Sequence, residues 1–390
     1  MNVVLYDDEH IWKSFLPITF TRPLSEIRIG ILTLKEKWEL CLGVTCSCYT
    51  QPYLRKKYPA LLHAHSIYIN SKFSPNKDLG HILKNLLPSQ ALYKGEQLLA
   101  FCGDEKNMED HSFLQRIQYS KELLEINNVW DLFQKNAEAI RLDFELITSG
   151  RSSAPLSSSV TVIGDKRLIF LEEGAQAEAC VLNTVGGPIY LGKNSEVMEG
   201  SAVRGPFSLG EKSTLKLGTK IYGATTIGPH CKIGGEVTNS VILGYSNKAH
   251  DGFLGNSVIG EWCNLGADTN NSNLKNNYGE VKLFNYEKNK QVDTGLQFCG
   301  LIMGDHSKSG INTMFNTGTV VGVGCNIYGG GFPSTHIPDF SWGGSEGIET
   351  HRIEKLFETA AIVYERRGLS FTETDREILK EVFERTVEDY

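Results

Sequence analysis

The chain has 390 residues, 41% hydrophobic and 22% charged, with a formal net charge of -7. That length exceeds one ordinary domain, and the composition is that of a folded globular protein rather than a disordered one. An acidic balance without any Lys/Arg-rich run argues against nucleic-acid binding. No apolar run of 18 residues occurs, and the first residues (MNVVLYDDEH) carry neither a basic nor an apolar leader segment, so no membrane partner and a cytoplasmic location are expected. The nine cysteines lack paired CxxC elements, which reads as reduced thiols rather than a zinc site.

In chain order, Val3 to Tyr6 reads as a short apolar strand, Leu24 to Leu40 as a helix and Ser66 to Asn70 as a second strand. Lys77 to Leu87 has helical spacing and Leu98 to Phe101 reads as a further strand. This alternation implies a layered α/β domain over 1–148 with a largely parallel sheet. The stretch SGRSSAPLSSS at 149–159 is a polar linker with one proline.

Beyond it the period changes. Leu191, Val197, Val203, Leu209, Leu215, Ile221, Ile227 and Ile233 stand six apart without a break. Helices recur at 3.6 and strands at 2.0, so neither makes this pattern. A coil with three flat β faces does, each face contributing one inward aliphatic and a bend. The expected fold over 160–345 is therefore a left-handed parallel β-helix of hexapeptide repeats. The register returns at Met303, Phe315, Val321 and Ile327, with Ser309 in the slot between the first two. Between them an Asn/Lys-rich stretch breaks it, and a coil tolerates such an insertion only by looping it out. The segment 346–390 reads as a helical tail covering the open end of the coil. One helix spans His351 to Arg367 and stops at Gly368, and a capping box at Thr374–Glu377 opens another.

The densest polar cluster within the coil runs from Lys248 through His250 to Asn264 and Ala267, with Asn273 following. A β-helix corner gains nothing structural from histidine, and neutral imidazole accepts a proton near pH 7, so His250 is a catalytic candidate. Spacing alone leaves an exposed loop histidine as the competing reading.

The segment KAHDGFLGNSVIGEWCNLGADTNNSN resembles the acetyltransferase motif of the bifunctional N-acetylglucosamine-1-phosphate uridyltransferase/glucosamine-1-phosphate acetyltransferases. The likeness implies His250 as general base, Asn264 and Asn273 as amino-sugar ligands, and Lys220 against the sugar phosphate. It also implies Ala267, Gly310 and Gly329 along acetyl-CoA. Phe253, Asn256, Thr238 and Leu274-Lys275-Asn276 depart from the motif, which bears on the identity of the acceptor. The N-terminal half is similar to a divergent sugar nucleotidyltransferase branch through Leu16-Pro17 to Glu26 and Val129 to Leu132. It lacks the glycine loop, since the first strand runs into Asp7-Asp8-Glu9, and Tyr68 to Lys72 replaces the Asn-Gly-Asp whose aspartate binds Mg2+. Arg22 and Arg28 are candidate phosphate ligands, and Asp7 or Asp104 a candidate metal ligand, against the plainer reading of solvated charge.

The resemblance implies an enzyme of UDP-N-acetylglucosamine-type biosynthesis that acetylates an amino-sugar 1-phosphate from acetyl-CoA. Its N-terminal domain would use UTP or dTTP with Mg2+ if active, and the assembly would be a homotrimer. Two alternatives remain: a sugar-1-phosphate uridylyl- or thymidylyltransferase without acetyl transfer, and a non-catalytic, nucleotide-sugar-binding trimeric scaffold.

Overall fold

The computed structural model describes residues 1–108 and 110–387. These form two compact units. The first comprises Met1–Phe15, Thr21–Ile27 and Leu32–Asn128. Its six-stranded sheet runs in the order Cys46–Tyr49, Val3–Tyr6, Ser66–Asn70, Gln97–Gly103, Gln90–Lys94, Gln115–Gln118. The first three strands are parallel, as expected, but Gln97–Gly103 is antiparallel to both its neighbours. A two-residue turn explains this departure from a largely parallel sheet. Gly95 (φ +60°) begins it, and glycine in that place suits the tight turn that returns a strand on itself. The helix expected from Leu24 begins only at Leu34 and ends at Leu42. Thr33 and Glu36 form a reciprocal capping box there, which fixes the start, and Gly43 (φ +71°) closes the end. The fully buried Trp38 of this helix donates its indole N–H to Phe73 O at 2.9 Å, anchoring helix to sheet.

The second unit comprises Leu16–Phe20, Arg28–Ile31 and the chain from Val129. Its helix Asn136–Thr148 is tied to the coil through polar side chains. Asn136 accepts from Gly30 N at 2.8 Å and donates to Ala224 O, while Thr226 donates to Gly30 O at 2.7 Å. Ala154 N donates to Leu171 O and Leu156 packs on the coil core, so contact with the coil begins before the first coil strand.

The coil is a three-sided parallel β-helix. One face has nine strands from Ile169–Leu171 to His336–Ile337, and a second has ten ending at Gly347–Thr350. The third has six, from Thr161–Ile163 to Phe253–Gly255. All eight ladder residues from Leu191 to Ile233 point inward and are at most 1% exposed. The later register is inward as well, with Met303, Phe315, Val321 and Ile327 buried and Ser309 among them.

The insertion folds as an antiparallel hairpin, Lys282–Asn285 with Lys290–Asp293. It leans back on the coil. Val281 and Leu283 are buried, and the Phe284 ring stacks on His336 with centroids 3.4 Å apart. The tail helices are Ile353–Glu365 and Glu373–Val387. Their capping box is Thr372 with Asp375, two residues before the expected one, because Thr372 N donates to Asp375 Oδ2 at 2.9 Å and Asp375 N to Thr372 Oγ1 at 3.2 Å. Phe383 meets Phe340 on the last coil, and Tyr364 stacks on Trp262 at 3.8 Å, so the tail also runs along the side of the coil.

Candidate active site on the coil

Successive coils superpose their corners, and this brings several of the expected residues together. His250 lies in the turn between the second face and the third, and is exposed. Asp268 N donates to Asp251 O, Gly266 N to Ser309 O, and Asn312 N to Ala267 O, so Ala267 and Gly310 fall on the same corner in the following coils. Gly310 is next to the coil bearing Tyr328 and Gly329, since a Cβ on Gly310 would lie 3.3 Å from Tyr328 Cβ. His250, Ala267, Gly310 and Gly329 therefore line one edge.

Two glycines at this corner are small for different reasons, beside the exposed Ile311 that is in register with Ala267. A Cβ on Gly266 would come within 2.6 Å of Gly310, so the coils touch there. Gly329 instead has φ +103° with open space around its Cβ position, and its requirement is conformational. Lys216, Leu217, Gly234, Gly235, Ala249, His250, Asp251, Ala267 and Asp268 line a groove of about 380 Å³. It is lined by one imidazole, one ammonium and two carboxylates, with Leu217, Ala249 and Ala267 between them.

The remaining coil candidates spread outward from this groove. Asn264 stands exposed on the second face, near Asn247. Lys220 is exposed on the third face, in register with Glu236, and its backbone N donates to Gly235 O at 2.8 Å. Asn273 is at the far end of the third face from His250, where its amide donates to Asn256 Oδ1 at 2.8 Å. Two residues singled out by the motif thus contact each other directly. Phe253 covers the outer surface between the ends, its ring within 2.6 Å of where a Gly255 Cβ would stand.

Sequence reasoning missed Lys248 as an inward residue. It is 2% exposed, and its ammonium donates to Gly234 O at 3.0 Å and His250 O at 2.8 Å. Burial pushes its pKa down to about 8, only partly offset by Asp251 and Asp268. The signal was present, since 248 lies six from both Ile242 and Leu254, the inward residues of its neighbours.

The N-terminal candidates lie away from one another in character. Asp7 accepts from Leu24 N at 3.2 Å and Thr50 Oγ1 at 2.6 Å, and burial pushes its carboxyl up to about 6 against those hydrogen bonds. Asp104 is exposed and caps Lys106 N at 3.0 Å. Arg22 is 4% exposed, with Thr21 Oγ1 at 3.4 Å, and Arg28 of the second unit donates to Ile31 O. Where the resemblance placed a metal-binding aspartate, Lys72 is buried, with its ammonium on Asn127 Oδ1 at 2.9 Å and Gln97 Oε1 at 3.1 Å. No cluster of three His, Cys, Asp or Glu suited to a metal occurs among the described residues. A divalent cation needs converging anionic oxygens, and a buried ammonium opposes it, so these residues do not fit Mg2+. No helix of the described residues is long and apolar enough to cross a membrane.

Residues 3–152 match the family model described as sugar nucleotidyl transferase. A 92-residue stretch is 38% identical to the bifunctional protein GlmU of Methanocaldococcus jannaschii, covering 24% of this chain and 22% of that protein. Another of 95 residues is 37% identical to the bifunctional sugar-1-phosphate nucleotidylyltransferase/acetyltransferase of Sulfurisphaera tokodaii, covering 24% and 23% respectively. The matched stretches span less than a quarter of these relatives' length. Among solved structures, an Arabidopsis UDP-N-acetylglucosamine acyltransferase aligns over 53% of this chain and 77% of its own, at 17% identity and a TM-score of 0.25. The polySia specific acetyltransferase NeuO aligns over 50% and 87%, at 14% identity and a TM-score of 0.28.

Proposed function

We propose that the coil transfers an acetyl group from acetyl-CoA to the amine of an amino-sugar 1-phosphate, in the synthesis of an amino-sugar nucleotide. The observation that carries this reading is the exposed His250 imidazole on a groove that Ala267 also lines, with Gly310 and Gly329 at the same corner of the following coils. Small residues there leave room for a pantetheine arm along the corner. His250 takes a proton from the ammonium or amine, the nitrogen attacks the thioester carbonyl, and the C–S bond breaks to release the CoA thiol. Backbone N–H groups of the corner are the available donors to the oxyanion. Asn264 and Lys220 bind the sugar and its phosphate from the two adjoining faces, and a charge-assisted contact suits a phosphate dianion. Asn273, at the other end of the third face, joins the site of an adjoining subunit, so this reading includes a homotrimer in the cytoplasm. The domain limits in it are 1–148, 160–345 and 346–390, with 149–159 as linker.

Thiol release from acetyl-CoA with glucosamine 1-phosphate tests it. Wild-type turnover and a loss of about 10²-fold or more in His250→Ala are expected. Near wild-type turnover in that variant removes His250 from the mechanism.

The family match over 3–152 favours a second activity, transfer of a nucleotidyl group to a sugar 1-phosphate from UTP or dTTP. In this reading Arg22, a buried cation of the first unit, is the phosphate ligand. Pyrophosphate release with each NTP, with and without Mg2+, decides whether this domain turns over. Turnover there without thiol release would make the protein a nucleotidyltransferase with a structural coil, and neither activity would favour a nucleotide-sugar-binding scaffold.

A further inference from the structure

The second face of the coil sends one side chain per turn into the core. Ala177, Val197, Leu215, Ile233, Leu265 and Ile327 occupy these inward positions, each at most 3% exposed. Lys248, paired with Ile233 across the sheet, takes the same kind of position. Ser309, paired with Leu265 and Ile327, is a polar member of the same series, and Lys248 is its cation.

Its ammonium offers three donors, and two of them go to the carbonyls of Gly234 and His250. Both carbonyls belong to residues that line the groove. A Cβ on Gly235, also on the groove, would lie 2.9 Å from Nζ. The charge therefore sits directly beneath the groove wall, held by neutral oxygens. Asp251 and Asp268 act on it without a hydrogen bond to it, and burial outweighs them. Burying a cation among neutral acceptors costs stability, and an aliphatic side chain would fill this position without that cost. A residue that weakens the fold at the floor of a reactive groove points to a role in that groove.

We infer that Lys248 is a positioning residue for acetyl transfer: its ammonium clamps the Gly234 and His250 carbonyls and fixes the turn that presents the His250 imidazole. The role rests on the acetyl-transfer reading of the groove. Displacing a catalytic group by about 1 Å costs on the order of 10²-fold in rate, so a loosened turn has a measurable consequence.

Lys248→Met keeps the apolar stem and removes the charged head. In that variant kcat for thiol release falls about 10-fold or more, KM for acetyl-CoA stays within about twofold, and the melting temperature at pH 7 does not fall. The His250 imidazole resonances, followed by NMR in the full chain, move and broaden relative to wild type. A wild-type kcat in Lys248→Met, or a loss of kcat matched by a lowered melting temperature, overturns the inference. If wild-type protein shows no acetyl transfer, the acetyl-transfer reading fails on its own. The clamp is then judged by NMR: unchanged His250 resonances in Lys248→Met overturn it.

Discussion

Two stretches of one coil, 191–233 and 247–273, follow the same backbone path and differ in what they put inside it. The first fills the core with eight aliphatics at a strict spacing of six. The second keeps the parallel register, as the pairings Val237 with Leu254 and Ile242 with Ile259 show, yet turns Lys248 and Asn271 inward. Asn271 is 4% exposed and uses its amide as a substitute for backbone pairing, accepting from Gly255 N at 2.9 Å and donating to Gly255 O at 3.1 Å. It acts where the third face stops at Phe253–Gly255. The contrast teaches that the ladder supplies stability where nothing else is asked of the coil. Hydrogen bonds between coils then carry the stretch whose side chains are polar, and that stretch bears the groove.

Substitutions can break or sharpen this contrast. The largest expected effect is in the strict stretch: Leu215→Ala destabilises by roughly 2–5 kcal/mol in denaturant titration, with activity per folded molecule unchanged. An equal loss of specific activity would mean that the ladder shapes the groove directly.

The next concerns pH. Lys248 has a folded-state pKa of about 8 against an ordinary 10.5, so between these values the unfolded chain holds a proton that the folded chain has lost. Stability of the wild type therefore rises with pH across that window relative to Lys248→Met, by about 3 kcal/mol in all, with the full cost of the charge present below pH 8. A difference between the two proteins that stays flat from pH 7 to 10 would show that the ammonium is well solvated.

Asn271→Leu leaves Gly255 N–H without its partner, while Gly255 O keeps Ser257 Oγ at 2.8 Å, and should cost about 1–3 kcal/mol although leucine is the more apolar residue. A neutral or stabilising result would mean that the third face needs no such substitute pairing. The smallest effect is expected from His250→Ala, whose exposed side chain should change stability by less than about 0.5 kcal/mol while acetyl transfer is lost. A large destabilisation would turn this histidine into a structural residue of the corner.

Much of the fold was legible in the residues. The ladder stated the coil, the insertion after Asn273 looped out, and the strands at Val3, Ser66 and Leu98 stand where their apolar runs placed them. Helix starts were less legible, because a cap depends on which side chain turns back to the backbone. Thr33 with Glu36 and Thr372 with Asp375 do so, whereas helical spacing and a capping pattern had suggested Leu24 and Thr374. The antiparallel Gln97–Gly103 followed from a local turn at Gly95 that apolar alternation does not report. His250, Ala267, Gly310 and Gly329 were each visible, but their common edge was not, since residues up to 79 positions apart meet only when coils stack.

By itself the sequence determined the three-sided coil, because a six-residue aliphatic period closes its hydrophobic core in no other regular way. Which polar residues enter that core was decided by the tertiary structure. After Ile233 the turns shorten: the inward positions fall at Val237 and Ile242, run at six through Lys248 to Leu254, and shorten again to Ile259. Each shortening resets the phase of every later side chain, and the new phase is held by hydrogen bonds between coils. That reset aims Lys248 into the core and leaves His250 on the edge above it.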